Sequence, residues 1–143
     1  MKDIKDGIKV LTCVDGSNTA KKTAQISGIF TKHSGGRLIL VHVLDDTLSY
    51  VEIPNTPVYE ERKKEGEAIL KEAKEIVENE GATCSTRLLA GPIVSEIIRL
   101  AEKEKCDVIF TGTLGRTGIM RMVLGNVAER IIRYAHCPVT VIR

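Results

Sequence analysis

The residues with the clearest capacity for chemistry form one run, Thr111-Gly112-Thr113-Leu114-Gly115-Arg116-Thr117-Gly118-Ile119-Met120-Arg121-Met122-Val123-Leu124-Gly125-Asn126. Glycines let a backbone come close to phosphate oxygens and adopt φ angles closed to other residues. Gly125-Asn126 stands where a helix begins, and the unpaired N–H groups and positive dipole end of such a terminus favour an anion. Arg116 and Arg121 bracket the segment and can offset phosphate charge. Asn126 can cap the helix and donate its amide to a phosphate oxygen. A second reading needs no ligand: Asn126-Val127-Ala128-Glu129 fits a variant of the capping box, and Glu129 brings negative charge close to the supposed anion.

A second group is Cys13-Val14-Asp15-Gly16-Ser17. Asp15 stands where an apolar run gives way to a helix-capping serine. A carboxylate there can orient a ribose hydroxyl, a base amine or a metal-bound water. It can equally do no more than organise an Asp-Gly turn.

The elements that must hold these residues alternate. Apolar, β-branched runs occupy Ile8–Val14, Arg37–Val43, Thr83–Leu89, Val108–Thr111 and Val139–Ile142. The second is apolar almost throughout, as in a strand covered on both faces; the third is more polar and suits a place near an edge. Helical patterns lie between them. Ser17 caps a helix to about Lys32 whose Ala20, Ala24 and Ser27 share one face. Thr56–Glu80 begins with Pro57, repeats Ile69, Ala73, Ile76 and Val77 at helical spacing, and meets Gly81 as a C-cap. Gly91-Pro92 opens a third helix with a stripe of Ile93, Ile97, Leu100 and Ala101. Asn126 opens a fourth, with Val127, Ile131 and Ala135 inward. Strands alternating with helices imply βαβ units, a parallel sheet and right-handed crossovers. Ligands in such sheets bind at the carboxyl ends of strands where strand order reverses, and both chemical groups fall at carboxyl ends. Asp45–Asn55 reads as an irregular loop.

Composition narrows the function classes. The chain has 143 residues, enough for one domain with a real core. Aromatics make up only 3% and Trp is absent, which argues against a base-stacking surface for single-stranded nucleic acid. The net charge of +2, from 21 basic and 19 acidic residues, is too balanced for a polyanion binder. Cys13, Cys84, Cys106 and Cys137 lack zinc-site spacing and read as free, mostly buried thiols in a reducing compartment. No run approaches a membrane span and the first residues are polar, so a cytoplasmic location is expected. No Walker A sequence is present, and no G-x-G-x-x-G follows the first strand. Ser34-Gly35-Gly36 precedes a strand, at the wrong end of the sheet for a phosphate loop, and reads as a helix-to-strand turn. His33, His42 and His136 are too scattered to suggest a triad or metal cluster; His42 reads as a satisfied core histidine, and His136 suits a helix C-terminus.

The run from Gly112 to Asn126, continued by Val127–Ile142, resembles the signature and C-terminus of the universal stress proteins. Val10–Ser17 and Leu40–Val43 resemble that family's first two strands, and the similarity covers nearly the whole chain. It implies a single-domain, three-layer α/β sandwich like the adenine nucleotide alpha hydrolases, with a five-stranded parallel sheet of order 3-2-1-4-5 and helices on both faces. It also implies an adenine nucleotide, ATP or AMP, with Mg²⁺ or Mn²⁺ as a possible companion. By position, Asp15 lies at the nucleotide, with Cys13, Val14 and Ser17 around it. Val43 lies beside the adenine, Thr111, Gly112 and Gly115 along ribose and phosphates, and Arg116 near the phosphates. Gly125, Asn126 and the amides of Val127 and Ala128 receive the phosphates. Family members without the glycine motif do not bind ATP; Gly112, Gly115 and Gly125 place this chain with the binders. Asn126 stands where Ser or Thr is frequent. The last strand, apolar on both faces, is expected to pair with its counterpart in a homodimer. A regulatory, stress-response nucleotide-binding module is favoured, with a slow ATPase or other phosphate-transferring enzyme using the same site as the alternative, since no base beyond Asp15 can be named.

Overall fold

Strand residues that are apolar at successive positions need cover on both faces, and the chain supplies it with two layers of helices. The computed structural model describes residues 7–45, 56–113 and 124–143. Its elements are β1 (Lys9–Cys13), α1 (Asn18–Ser34), β2 (Arg37–Asp45), α2 (Pro57–Asn79), β3 (Cys84–Gly91), α3 (Ile93–Lys103), β4 (Val108–Gly112), α4 (Asn126–Tyr134) and β5 (Val139–Ile142). Every strand pairing is parallel and the order is β3-β2-β1-β4-β5, the order the resemblance implied. The strands run one or two residues longer or shorter than their apolar runs, and β2 extends to Asp45. The expected loop lies, apart from Asp45, outside the described residues.

Alternation along the strands sorts the core into two. Val10, Leu38, Leu40, Val108 and Phe110 meet Ala20 and Ala24 of α1 and Leu70, Ala73 and Val77 of α2. Leu11, Ile39, Val41, Val43 and Ile109 meet Val94, Ile97, Leu100 and Ala101 of α3 and Ile131 of α4. Each fully buried aliphatic side chain contributes about 1.5–3 kcal/mol. β3 and β5 are the edges, and β3 is largely half-exposed, in line with its polar sequence.

Helix α1 lies close to the sheet because its inner face is small. Ala20, Thr23, Ala24, Ser27, Gly28 and Thr31 are buried. Their hydroxyls are satisfied locally: Thr12 Oγ1 donates to Ser27 Oγ at 2.8 Å, and Thr23 and Thr31 donate to the carbonyls of Thr19 and Ser27 at 2.7 Å. An unpaired hydroxyl there would cost about 1–3 kcal/mol. The helix runs two residues past Lys32 and ends on Gly35, whose φ of 69° is the left-handed cap that glycine accepts. Ser34-Gly35-Gly36 is therefore the expected helix-to-strand turn.

In α2, Thr56 is the N-cap and Pro57 the first helical residue. Its buried stripe is Gly66, Leu70, Ala73 and Val77, with Ile69 and Ile76 only half-buried. The stripe is rotated from the expected one because Gly66 sits directly on the sheet: a β-carbon there would meet Leu88 Cδ1 at 2.8 Å and His42 Cδ2 at 2.9 Å. Similar rotations put Val94 rather than Ile93 at the centre of α3, and Ala128 beside Ile131 in α4, leaving Val127 and Ala135 half-buried.

Candidate functional site at the carboxyl ends of β1 and β4

β1 lies between β2 and β4, so the chain leaves the sheet in opposite directions from two adjacent strands. That is the switch point at which open parallel sheets take ligands. The β1–α1 crossover begins with Val14, buried, whose N–H donates to Val41 O at 3.0 Å. Asp15 follows, half-buried. Its Oδ1 accepts from Ser17 N at 2.9 Å across Gly16, which has φ of 87°. Ser17 Oγ then accepts from Ala20 N at 3.1 Å and caps α1. The turn-organising role of Asp15 is thus present, and the Ser17 cap forms as its sequence implied.

Beside this crossover, His42 Nδ1 lies 2.8 Å from Val14 O. The ring nitrogen donates to the carbonyl, so His42 is the satisfied strand histidine expected of it. Val43, buried at the carboxyl end of β2, faces the α3/α4 side with Val41 and Ile39. Cys13 is half-buried. Burial pushes its thiol up to about 12, with the Asp15 carboxylate and Cys106 adding to the effect. Such a thiol stays protonated at neutral pH and is a weak nucleophile. Among the cysteines expected to be mostly buried, only Cys106 is fully so; all four are free.

The β4–α4 side is built differently. Thr111 and Thr113 are buried, and Gly112 between them is half-buried. Thr113 N donates to Ile142 O at 2.9 Å, and Thr113 O accepts from Gly125 N. Thr113, just past the end of β4, and Gly125, at the start of α4, are therefore hydrogen-bonded to each other. Gly115 and Arg116, with Gly118 and Arg121, lie outside the described residues. Gly125 is the N-cap of α4, at φ −64° and ψ 155°, and among the described residues no side chain hydrogen-bonds at this cap.

This corrects the reading of Asn126 as a cap. Asn126 is the first helical residue and is exposed. The capping box does not form, because the helix starts one residue early for it, with Gly125 and not Asn126 at the cap. Glu129 pairs with Arg133 one turn on, and its N–H donates to Gly125 O at 2.9 Å. The carboxylate that threatened the anion site is thus partly compensated by a guanidinium. Val127 is half-buried and Ala128 buried, so the first turn of α4 presents backbone more than side chain. A helix start without a side-chain acceptor, after a glycine, suits an anion.

The expected residues that the fold brings to this edge are Val14, Asp15, Ser17, Val43, Thr111, Gly112 and Gly125, with Cys13, Asn126, Val127 and Ala128 adjoining. Sequence reasoning missed two others. Thr113 is the anchor for Gly125, and Thr19, in the first turn of α1, packs against Gly112. A β-carbon on Gly112 would lie 2.9 Å from Thr19 Cγ2. Neither contact has a local signal, since each joins residues far apart in the chain. Among the described residues no group of three or more His, Cys, Asp or Glu is placed to hold a metal ion. Among them, too, no helix is long and apolar enough to cross a membrane.

Comparison with known proteins adds to this geometry. The family model described as the universal stress protein family matches residues 8–143. A universal stress protein of Methanocaldococcus jannaschii is 35% identical over 139 residues, covering 94% of this chain and 81% of that one. A hypothetical protein solved as a structural-genomics test case has a TM-score of 0.83 at 28% identity, covering 94% of each chain. The universal stress protein from Archaeoglobus fulgidus, solved in complex with dAMP, has a TM-score of 0.76 at 23% identity, covering 95% of this chain and 98% of that one.

Proposed function

The chain belongs to the universal stress protein family, and from that premise we propose that it binds an adenine nucleotide, ATP or AMP, between β1 and β4 as a regulatory module. The observation that carries this reading is the N-terminus of α4. It begins on Gly125 without a side-chain cap among the described residues, at the switch point of the sheet, next to a glycine-bearing segment anchored at Thr113. Phosphates are assigned to Gly125, Asn126 and the amides of Val127 and Ala128, with Gly115 and Arg116 on the segment before them. Ribose and base are assigned to the edge formed by Cys13, Val14, Asp15, Ser17, Val43, Thr111 and Gly112. The Archaeoglobus protein, which shares this fold, was solved in complex with dAMP. Mg²⁺ or Mn²⁺, if bound, would accompany the phosphates and neutralise their charge.

A binding role is favoured over hydrolysis because phosphoryl transfer to water needs a group that orients the attacking water. The acidic candidate at this edge, Asp15, already accepts from Ser17 N. Mass spectrometry of ligand released from purified protein, with a turnover assay in Mg²⁺ or Mn²⁺, tests the reading. Retained AMP or ATP without turnover supports it; rapid ADP formation replaces it with an ATPase.

The proposal extends to a homodimer. β5 is an edge strand, and Ile132 and Tyr134 on the preceding helix are 46% and 57% exposed. Two copies pairing Val139–Ile142 across a two-fold axis would cover that edge. Light scattering after size exclusion should give a dimer mass; a monomer at micromolar concentration removes this part.

A further inference from the structure

Gly112 is the last residue of β4, and Thr19 stands in the first turn of α1. A β-carbon on Gly112 would come within 2.9 Å of Thr19 Cγ2 and 3.5 Å of Thr19 Cβ, with Thr23 Oγ1 at 3.7 Å. The direction agrees with the strand's alternation: Val108 and Phe110 of β4 belong to the α1/α2 side, and Gly112 has the same parity. What the missing side chain admits is therefore a helix. In dinucleotide-binding folds a glycine of the phosphate turn serves close helix–strand packing in the same way.

The backbone of Thr19 is held in place. Its carbonyl accepts from Thr23 Oγ1 at 2.7 Å, and Thr23 is fully buried. Upstream, Ser17 Oγ holds Ala20 N at 3.1 Å and Asp15 Oδ1 holds Ser17 N at 2.9 Å. The first turn of α1 and the crossover bearing Asp15 thus form one bonded unit, and this unit rests on β4 through Thr19 and Gly112. From Gly112 the chain passes to Thr113, whose carbonyl anchors Gly125. Beyond the β1–β4 pairing, this contact ties the two sides of the cleft together.

We propose that Thr19 is a positioning residue: seated on Gly112, it sets the separation between the Asp15 crossover and the start of α4, and so governs nucleotide affinity without touching the nucleotide. This rests on the nucleotide-binding reading above. It assigns the glycine at position 112 to helix seating, with approach to phosphate as a consequence.

The test uses Gly112→Ala, Thr19→Ser and the double variant. The alanine β-carbon collides with the Thr19 methyl, and serine at 19 lacks that methyl, so the double variant makes room. AMP affinity is measured by calorimetry well below every thermal midpoint, where a packing defect alone lowers the midpoint and leaves Kd in place. Gly112→Ala should weaken AMP binding about tenfold, Thr19→Ser, which removes the methyl seated on Gly112, about threefold, and the double variant should recover to within about threefold of the wild type. If Gly112→Ala does not fold, the double variant should fold and bind. A Gly112→Ala protein that binds AMP as the wild type does overturns the proposal. So does a weakened one that Thr19→Ser does not rescue, which would mean that the β-carbon obstructs the nucleotide itself. A wild-type protein that binds neither AMP nor ATP overturns the nucleotide reading, and the proposal with it.

Discussion

The two helices that start at the sheet's switch point are finished in opposite ways. α1 is closed by its own side chains, with Asp15 holding Ser17 and Ser17 holding Ala20. α4 starts on Gly125 with no side-chain cap among the described residues, and the N–H of Gly125 donates to Thr113 O. Both termini carry the same dipole and the same surplus of N–H groups. The difference is that α1 satisfies part of that surplus with its own cap side chain, whereas among the described residues no side chain does so at α4. An anion should therefore prefer α4, and the α1 crossover should contribute shape and a carboxylate.

The strongest way to break this contrast is to put bulk at the start of α4. Gly125→Val should weaken nucleotide binding by about 100-fold or more in a titration, because the side chain enters the proposed phosphate path. Its stability should fall by only about 1 kcal/mol, since φ −64° and ψ 155° are open to any residue and the loss is one of cap preference. Next in size, Asp15→Ala should cost about 1–3 kcal/mol of binding through a lost polar contact. Asp15→Asn keeps an acceptor for Ser17 N–H and so separates the turn from the ligand contact. If Asn and Ala variants lose binding equally, the charge matters; if Asn binds as the wild type, the turn does.

A pair of alanine variants then compares the caps directly. Ser17→Ala should lower unfolding stability by about 1 kcal/mol, the usual worth of an N-cap hydroxyl. Asn126→Ala should stay within about 0.5 kcal/mol in the same denaturant series, because Asn126 is an exposed first-turn residue and not the cap. A stability loss at Asn126 equal to that at Ser17 would restore the capping-box reading.

The smallest effect is expected at Cys13. Its folded-state pKa of about 12 lies above the ordinary thiol value of 9.0. The protonated thiol therefore stabilises the fold in full below about pH 9, and that contribution is lost as pH rises towards 12. Cys13→Ala should flatten the alkaline fall of the thermal midpoint across this window. An unchanged slope would mean that the thiol titrates as it does in solvent.

How much of this was legible in the sequence follows from the range of each signal. The sheet came from runs such as Arg37–Val43 and from alternation, which are local, and its order from the resemblance. Ser17 was legible as a cap because its acceptor role reaches only to Ala20. Asn126 misled because a helix start displaced by one residue changes which residue is the cap. Gly112 is legible as part of the glycine run, but its neighbour Thr19 lies far away in sequence, and no periodicity connects the two. The stripe of α2 was misjudged for a similar reason, since Gly66 reads as a weak helix residue until Leu88 and His42 are seen beneath it.

The central claim, that the N-terminus of α4 holds the phosphates of an adenine nucleotide, is tested most directly by titrating the wild-type protein with ATP, AMP and adenosine under one set of conditions. AMP and ATP should bind at least about tenfold more tightly than adenosine, with the advantage shrinking as salt is raised. Equal affinity for adenosine and AMP, or no binding of any of the three, would contradict it.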